Sequence, residues 1–250
     1  MRQITMMKGI VSAVLGITLL VTLDAGGAVA TLEERLSSDT RSAADRARDA
    51  GRKPAQVLEF LGLEPGMTVL DVMASGGWYT EVLSLAVGED GSVIAHNVPM
   101  ALQFRDGAYE KAISERLAGD RLPNVTRLNA DFSELGLDNE VDLAITALNL
   151  HDVYHRGPEA AEAALRAVRK ALKPGGVLGV IDHHGDPGKD NSSLHRMTRE
   201  QAEEVARAAG FEIESSDILR VPEDDHTRMV FDPAVRGKTD RFLLKLTKPE

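Results

Sequence analysis

The 250-residue sequence contains no cysteine, which excludes disulfide bonds, thiolate metal sites and lipid attachment through cysteine. It also lacks any cluster of basic residues: 29 Lys and Arg stand against 39 Asp and Glu, a formal net charge of −10. Nucleic-acid binding depends on clustered positive charge, so we expect no nucleic-acid partner. A hydrophobic content of 43% suffices for one domain with a full core.

The first 30 residues differ in character from the rest. Arg2 and Lys8 precede an almost uncharged apolar run over residues 9–23, and Ala28-Val29-Ala30 is a small-residue cleavage pattern. This pattern predicts a signal peptide that is cleaved after Ala30. An uncleaved anchor is the alternative, disfavoured because a spanning helix needs about 20 apolar residues. We expect a periplasmic or secreted protein with a mature domain, residues 31–250, that does not remain in the membrane.

Apolar runs and helical patterns alternate through that domain. Residues 31–62 are expected to be helical, with a helix over 41–50 capped by Asp39 or Thr40. The predicted strands cover residues 67–73, 92–96, 125–129, 141–148, 177–182, 211–221 and 241–248. No helical pattern separates the last two, so they should pair antiparallel. The sequence therefore predicts an α/β fold: one Rossmann-like, doubly wound, seven-stranded mixed sheet with helices on both faces.

The most informative stretch is Val69-Leu70-Asp71-Val72-Met73-Ala74-Ser75-Gly76-Gly77-Trp78-Tyr79-Thr80. An apolar run ends in an acid, a glycine-containing turn follows, and a helical segment begins. This is the layout of a strand–loop–helix nucleotide site, in which glycine lets a ligand approach the backbone.

Together with three later motifs, this stretch resembles the class I S-adenosylmethionine-dependent methyltransferases. The later motifs are Asn129-Ala130-Asp131-Phe132, Ala147-Leu148-Asn149-Leu150-His151-Asp152 and Leu172-Lys173-Pro174-Gly175-Gly176-Val177-Leu178. More narrowly, Gly76-Gly77-Trp78-Tyr79-Thr80-Glu81, Asp182-His183 and residues 237–242 resemble a bacterial group of exported methyltransferases. The resemblance implies S-adenosylmethionine as cofactor. It places the methionine part at the first motif, the adenine at the second and the transferred methyl near the third.

The resemblance also implies individual cofactor contacts. The residues concerned are Asp71, Met73, Ser75, Gly76, Gly77, Trp78, Asn97, Asp131, Phe132 and Asn149. Met73 and Ser75 depart from the family, which has glycine at both positions, and their side chains could fill cofactor space. Asn97 stands where the family usually has an acid for the ribose. Asp71 as a helix cap, Trp78 as a packing residue and Asp131 as a turn residue are the purely structural alternatives.

Six of the seven histidines follow residue 150. His151 and Asp152 follow the fourth predicted strand, and Asp182 and His183 lie at the end of the fifth, so all four should share one crevice. They are the candidate catalytic residues, with His151 as a general base that takes a proton from an oxygen or nitrogen nucleophile. A metal site is an alternative, although the spacing matches no strict metal motif and no residue is assigned as a ligand. A His-x-x-x-His pair at His151 and His155 would require a helical turn.

The leading hypothesis is a methyltransferase that acts on a small-molecule acceptor. One alternative is an exported, non-catalytic protein that binds another small ligand on the same fold. Another is a metal-dependent hydrolase that uses His151, Asp182 and His183. Arg52 could face the same crevice, whereas residues 238–241 are expected to form local salt bridges and strand-end caps.

Overall fold

The computed structural model describes residues 31–250, which form one compact unit, and the predicted signal peptide lies outside them. Seven strands form one sheet in the order β3-β2-β1-β4-β5-β7-β6. They are β1 Thr68–Val72, β2 Ser92–Asn97, β3 Val125–Asn129, β4 Val141–Ala147, β5 Leu172–His183, β6 Glu212–Ser216 and β7 Arg241–Thr247. Strands β1 to β5 are parallel, and β7 is antiparallel to both β5 and β6. The predicted fold class is confirmed.

Ten α-helices surround the sheet within residues 31–250. They are α1 Leu32–Leu36, α2 Ala43–Arg46, α3 Asp49–Arg52, α4 Pro54–Leu61, α5 Trp78–Val87, α6 Pro99–Leu102, α7 Phe104–Leu117, α8 Leu150–Tyr154, α9 Pro158–Ala171 and α10 Arg199–Ala208. None of these helices combines the length and hydrophobicity that crossing a membrane requires. Thr198 caps α10 as predicted, in a capping box with Gln201.

The core lies on both faces of the sheet because successive strand residues point to opposite sides. Val69 packs with Val57 and Leu83 of α4 and α5. Its neighbour Leu70 packs on the other face, with Leu165 of α9. Strands buried on both faces explain the continuous apolar runs in the sequence.

The N-terminal helical segment differs from the prediction. Ser42, not Asp39 or Thr40, is the N-cap, and the predicted helix over 41–50 is two short helices, α2 and α3. Arg41 is only 1% exposed. It donates to the Leu36 carbonyl at 2.9 Å and to Asp49 at 2.6 Å. These side-chain contacts bury Arg41 before the first turn of α2 instead of within a helix.

Nine strand ends also differ from the prediction, seven of them by one residue and two by five, one of which is the start of β5 at Leu172 instead of residue 177. Strand β6 ends at Ser216 rather than at residue 221, because Asp240 accepts a hydrogen bond from the Val221 N–H at 2.7 Å in place of a β7 carbonyl. Strand β5 extends to His183, so Asp182 and His183 both belong to the strand. Their side chains therefore leave opposite faces of β5 at its carboxyl end.

Candidate functional site

The loop between β1 and α5 keeps the backbone path that glycine normally supplies. Met73, Ser75 and Gly77 have φ values of 56°, 53° and 79°, all left-handed. Two of the three carry a side chain, and such a residue costs about 1 kcal/mol in this conformation. The departures at Met73 and Ser75 therefore change the side chains without changing the course of the chain.

Two amide side chains hold this loop at the carboxyl edge of the sheet. The Asn97 Oδ1 accepts from the Ser75 N–H at 2.8 Å, and its Nδ2 donates to the Ser75 carbonyl at 3.3 Å. Asn149 Nδ2 donates to the Met73 carbonyl at 3.1 Å. Asn97, at the end of β2, is therefore a loop-holding residue, a role that the sequence did not indicate.

The two loop glycines are required where α7 crosses the loop. A Cβ on Gly77 would lie 2.4 Å from the Ile113 Cδ1, and one on Gly76 would lie 3.0 Å from the Ala112 Cβ. Arg116 of α7 donates to the Gly76 carbonyl at 2.9 Å and also pairs with Glu81. Sequence reasoning missed Arg116, because nothing in the α7 sequence marks it apart from the other charged residues of that helix.

Asp71 and Trp78 are both buried. The Asp71 carboxylate accepts from the Thr80 Oγ1 at 2.6 Å. Burial raises the pKa of Asp71 to about 6, although the Thr80 hydrogen bond opposes this shift. Trp78 donates its Nε1–H to the Asp45 carbonyl at 3.2 Å, and the Arg52 guanidinium stacks 4.5 Å from its ring centroid. Trp78 thus packs under the N-terminal helices.

His96, at the end of β2, joins the loops that follow β1 and β3. Its Nδ1 accepts from the Met73 N–H at 3.4 Å, and its Nε2 donates to the Ala130 carbonyl at 3.0 Å. Burial lowers the pKa of His96, with the Ala130 hydrogen bond opposing. The Phe132 ring lies 5.3 Å from the imidazole. Asp131, beside it, is exposed.

An apolar cavity lies between the sheet and helices α8 and α9, next to the segments that follow β1 and β3. Its lining residues are Val72, Met73, Phe132, Thr146, Leu150, Val153, Ala164, Leu165, Val168 and Leu178. The Met73 side chain that replaces a glycine therefore forms part of this wall.

The predicted catalytic residues lie close together, around the hydrogen-bonded pair His151 and Asp182. His151 Nδ1 lies 2.7 Å from the Asp182 Oδ1, and the His151 N–H donates to the Asp182 Oδ2 at 2.8 Å. Burial disfavours the charged imidazole, but the charge and hydrogen bond of Asp182 outweigh it and raise the pKa of His151. Burial likewise opposes the charge of Asp182, yet His151 lowers its pKa. Asp182 is therefore ionised and orients the imidazole.

The other ring nitrogen of His151, Nε2, makes no hydrogen bond within the described residues. The His151 Nε2 is buried without a hydrogen-bond partner in residues 31–250, and it lies 3.3 Å from the Asp152 Oδ1. The His183 ring is 6.0 Å away and burial lowers its pKa well below the usual value. His195, which sequence reasoning missed, lies 5.6 Å from the His151 ring. It comes from the segment between β5 and α10, whose path the sequence does not reveal.

Helix α8 supplies the turn that a His-x-x-x-His site requires, but the His155 Nε2 lies 2.7 Å from the Arg196 carbonyl. Two other groups have donor atoms within 4.8 Å of one another in the described part of the chain. They are His151, Asp152 and His195, and His184, His226 and Asp240. Neither is the set of His151, Asp182 and His183 suggested for a hydrolase.

Sequence comparisons with known proteins match the part of the chain that contains the β1 loop. A family model for protein-L-isoaspartate(D-aspartate) O-methyltransferase matches residues 45–109, which contain β1, its loop and β2. The ubiquinone/menaquinone biosynthesis C-methyltransferase UbiE of Ectopseudomonas mendocina (strain ymp) is 33% identical over 128 residues. That alignment covers 50% of this chain and 45% of the relative, so the chain matches less than half of the relative's length.

Solved structures extend the likeness to the whole domain. A SAM-dependent methyltransferase from Aquifex aeolicus has a TM-score of 0.58 and 23% identity, with 80% of this chain and 97% of that one covered. A possible exported protein from Bordetella parapertussis has a TM-score of 0.53 and 18% identity, with 87% and 78% covered. At these identities the likeness establishes the fold. The chain therefore has the fold of class I S-adenosylmethionine-dependent methyltransferases, and the part that contains β1, its loop and β2 is similar in sequence to methyltransferases.

Proposed function

We propose that this protein transfers the methyl group of S-adenosylmethionine to a small-molecule acceptor in the crevice above β4 and β5. The observation that carries the proposal is the β1 loop, which is left-handed at residues 73, 75 and 77. A strained loop is retained when the surrounding structure holds it, and here Asn97 and Asn149 do so. Such a loop at the switch point between β1 and β4 is where this fold binds its nucleotide.

We assign the adenine of the cofactor to the side of the loop where this cavity lies. Phe132 offers an aromatic face there, and Leu150 and Met73 offer apolar contacts. Asp131 is exposed beside the cavity, where its carboxylate can accept from the exocyclic amine of the base. Met73 therefore forms one wall of this pocket, and the other side chains of the lining suit contact with an aromatic ring.

His151 has the geometry of the general base. Ionised Asp182 accepts the Nδ1–H, which leaves a lone pair on the buried Nε2 for the proton of an oxygen or nitrogen nucleophile. The sulfonium is already activated, so the rest of the catalysis consists of holding donor and acceptor in line.

Calorimetric titration of the domain spanning residues 31–250 with S-adenosylmethionine and S-adenosylhomocysteine tests the proposal. We expect one binding site, weakened about 10-fold or more by Asp131→Ala, which removes one charge-assisted hydrogen bond. Glu134→Ala is the matched control, because Glu134 is also exposed and lies in the same turn. Absence of heat and of thermal stabilisation at millimolar ligand would refute the function.

We also propose that the protein is exported, from the charged start, apolar run and small-residue cleavage pattern of residues 1–30. The shared fold with a possible exported protein of Bordetella parapertussis is consistent with this. Mass spectrometry of the N-terminus in a periplasmic or secreted fraction should find Thr31. An intact Met1 in the membrane fraction would contradict the proposal.

A further inference from the structure

A second pocket, separate from the apolar cavity, opens at the carboxyl ends of β4 and β5. Its empty volume is about 180 Å³. Apolar side chains form one part of the wall: Ala147, Leu148, Ile181 and Leu219. Arg52, Tyr79 and Arg241 form the polar part. The polar lining therefore consists of hydrogen-bond donors on three different elements.

The two guanidinium groups lack a counter-ion. Arg241 is 3% exposed and donates to the Thr239 Oγ1 at 3.3 Å and to the Gly51 carbonyl at 3.2 Å. Arg52 stacks on Trp78. Neither arginine forms a salt bridge with a carboxylate of residues 31–250, whereas the neighbouring Asp240 pairs with Arg220, as expected for residues 238–241. A buried cation without a partner is costly, so its retention indicates a site for an anion.

Tyr79 adds a third donor. Its side chain is 5% exposed, and its hydroxyl has no partner within residues 31–250. Burial raises the pKa of Tyr79 to about 12, so the phenol is protonated and can donate. Burial also lowers the pKa of Arg52 to about 10, which still leaves it charged at neutral pH.

We propose that this pocket binds the carboxylate of the methyl acceptor, an inference that rests on the proposed function. Two guanidinium groups and a phenol supply charge-assisted hydrogen bonds to the anion. Leu148, Ile181 and Leu219 cover the adjoining hydrocarbon. The pocket is small, and we assign it only the anionic end of an acceptor whose remainder extends into the crevice.

A short series of contacts connects the pocket with the general base. The Arg241 Nε and the His183 Nδ1 both contact the Thr239 Oγ1, at 3.3 and 2.8 Å. The His183 ring lies 6.0 Å from the His151 ring. The pocket lies at β4 and β5, whereas Phe132 and Asn97 of the cofactor side follow β3 and end β2. The contacts through Thr239 and His183 toward His151 favour the acceptor as the source of the carboxylate. The competing source is the methionine carboxylate of the cofactor, because Tyr79 belongs to the stretch assigned to the methionine part, and competition by S-adenosylhomocysteine distinguishes the two.

Trp78, the only tryptophan of the chain, provides the measurement because the Arg52 guanidinium lies 4.5 Å from its ring. We would titrate the domain with benzoate and with neutral benzamide and follow tryptophan fluorescence, with and without saturating S-adenosylhomocysteine. We expect benzoate to bind at least 10-fold more tightly than benzamide. The affinity for benzoate should be the same with and without S-adenosylhomocysteine. Arg52→Gln should reduce benzoate affinity about 10-fold, the loss of one charged hydrogen bond.

Arg48→Gln is the matched control, since Arg48 lies 5.6 Å from the same ring but does not line the pocket. Arg241→Lys provides a second test. It keeps the buried charge, so the fold does not have to tolerate a neutral residue at position 241, and it should also lower the affinity for benzoate. Equal affinity for benzoate and benzamide, or an unaffected Arg52→Gln variant, would overturn the anion site. Competition by S-adenosylhomocysteine would overturn its assignment to the acceptor. Arg52-dependent benzoate binding without any cofactor binding would refute the proposed function and leave the carboxylate site standing.

Discussion

The side-chain amide of Asn97 bonds both main-chain groups of Ser75, accepting from its N–H at 2.8 Å and donating to its carbonyl at 3.3 Å. This double contact holds a left-handed serine, a backbone conformation that glycine adopts without strain. The loop therefore depends on a side chain from the neighbouring strand β2 for its shape. Changes to that side chain should alter both stability and cofactor binding.

Asn97→Ala leaves two main-chain polar groups of Ser75 without their partners. We expect a loss of about 1–3 kcal/mol in the free energy of unfolding, measured by urea denaturation, together with weaker S-adenosylmethionine binding. Asn124→Ala is the control, because Asn124 similarly bonds the Ser84 and Gly88 carbonyls at 3.1 and 2.8 Å, far along α5. It should lose comparable stability and keep its cofactor affinity. Equal losses of affinity in both variants would contradict the role of Asn97.

Glycine at the two departing loop positions should have opposite effects on stability. Ser75→Gly relieves a left-handed residue and should raise the free energy of unfolding by about 0.5–1 kcal/mol. Met73→Gly relieves the same strain but removes a half-buried side chain from the cavity wall, a loss of about 1–2 kcal/mol, so it should be neutral or destabilising. Urea midpoints at constant m-value measure both changes. A stabilised Met73→Gly variant would show that its side chain contributes nothing to packing.

The titration of His151 should depend on Asp182. Burial alone would lower the pKa of His151, and the negative charge of Asp182 raises it instead. His183, His195 and Asp152 also face this imidazole. NMR titration should place the pKa of His151 above its ordinary 6.5 in the wild type and below it in Asp182→Asn.

The neutral imidazole is the active base, so methyl transfer should rise with pH through the pKa of His151 and shift to lower pH in Asp182→Asn. That variant should also be about 100-fold or more slower, because its imidazole is a weaker and less well oriented base. Asn149→Gln, a change on the cofactor side, should leave the titration of His151 unchanged. A wild-type pKa below 6.5 would contradict the charged pairing.

Asp71 should make the protein less stable as pH rises. Its folded-state pKa of about 6 exceeds the ordinary value of 3.8, so the folded state binds more protons between these values. The free energy of unfolding should therefore fall by about 2 kcal/mol from pH 4 to pH 6 through this group. Asp71→Asn should remove the fall, and Thr80→Val, which deletes the opposing hydrogen bond, should steepen it. Urea denaturation across this pH range measures the slope, and identical slopes in all three proteins would contradict the assignment.

Much of the fold was predictable because it depends on local patterns. Apolar runs identified β1, β4 and β5, and the Thr198 cap identified the start of α10. The convergence of His151 and Asp182 was also predictable, since adjacent parallel strands end at one edge. The helix boundary at Ser42 was not, because the buried Arg41 bonds to residues before and after it.

The sequence by itself determined the class of fold, the position of the loop after β1 and the presence of a histidine–carboxylate group beside it. Those features follow from hydrophobic periodicity and from the order of strands along the chain. Only the tertiary structure decided that Asn97 holds Ser75, that the Asp182 charge raises the pKa of His151, and that Arg52 and Arg241 meet without a counter-ion. Hydrogen-bond geometry, burial and charge balance depend on residues far apart in the chain, so they cannot be inferred from the local sequence.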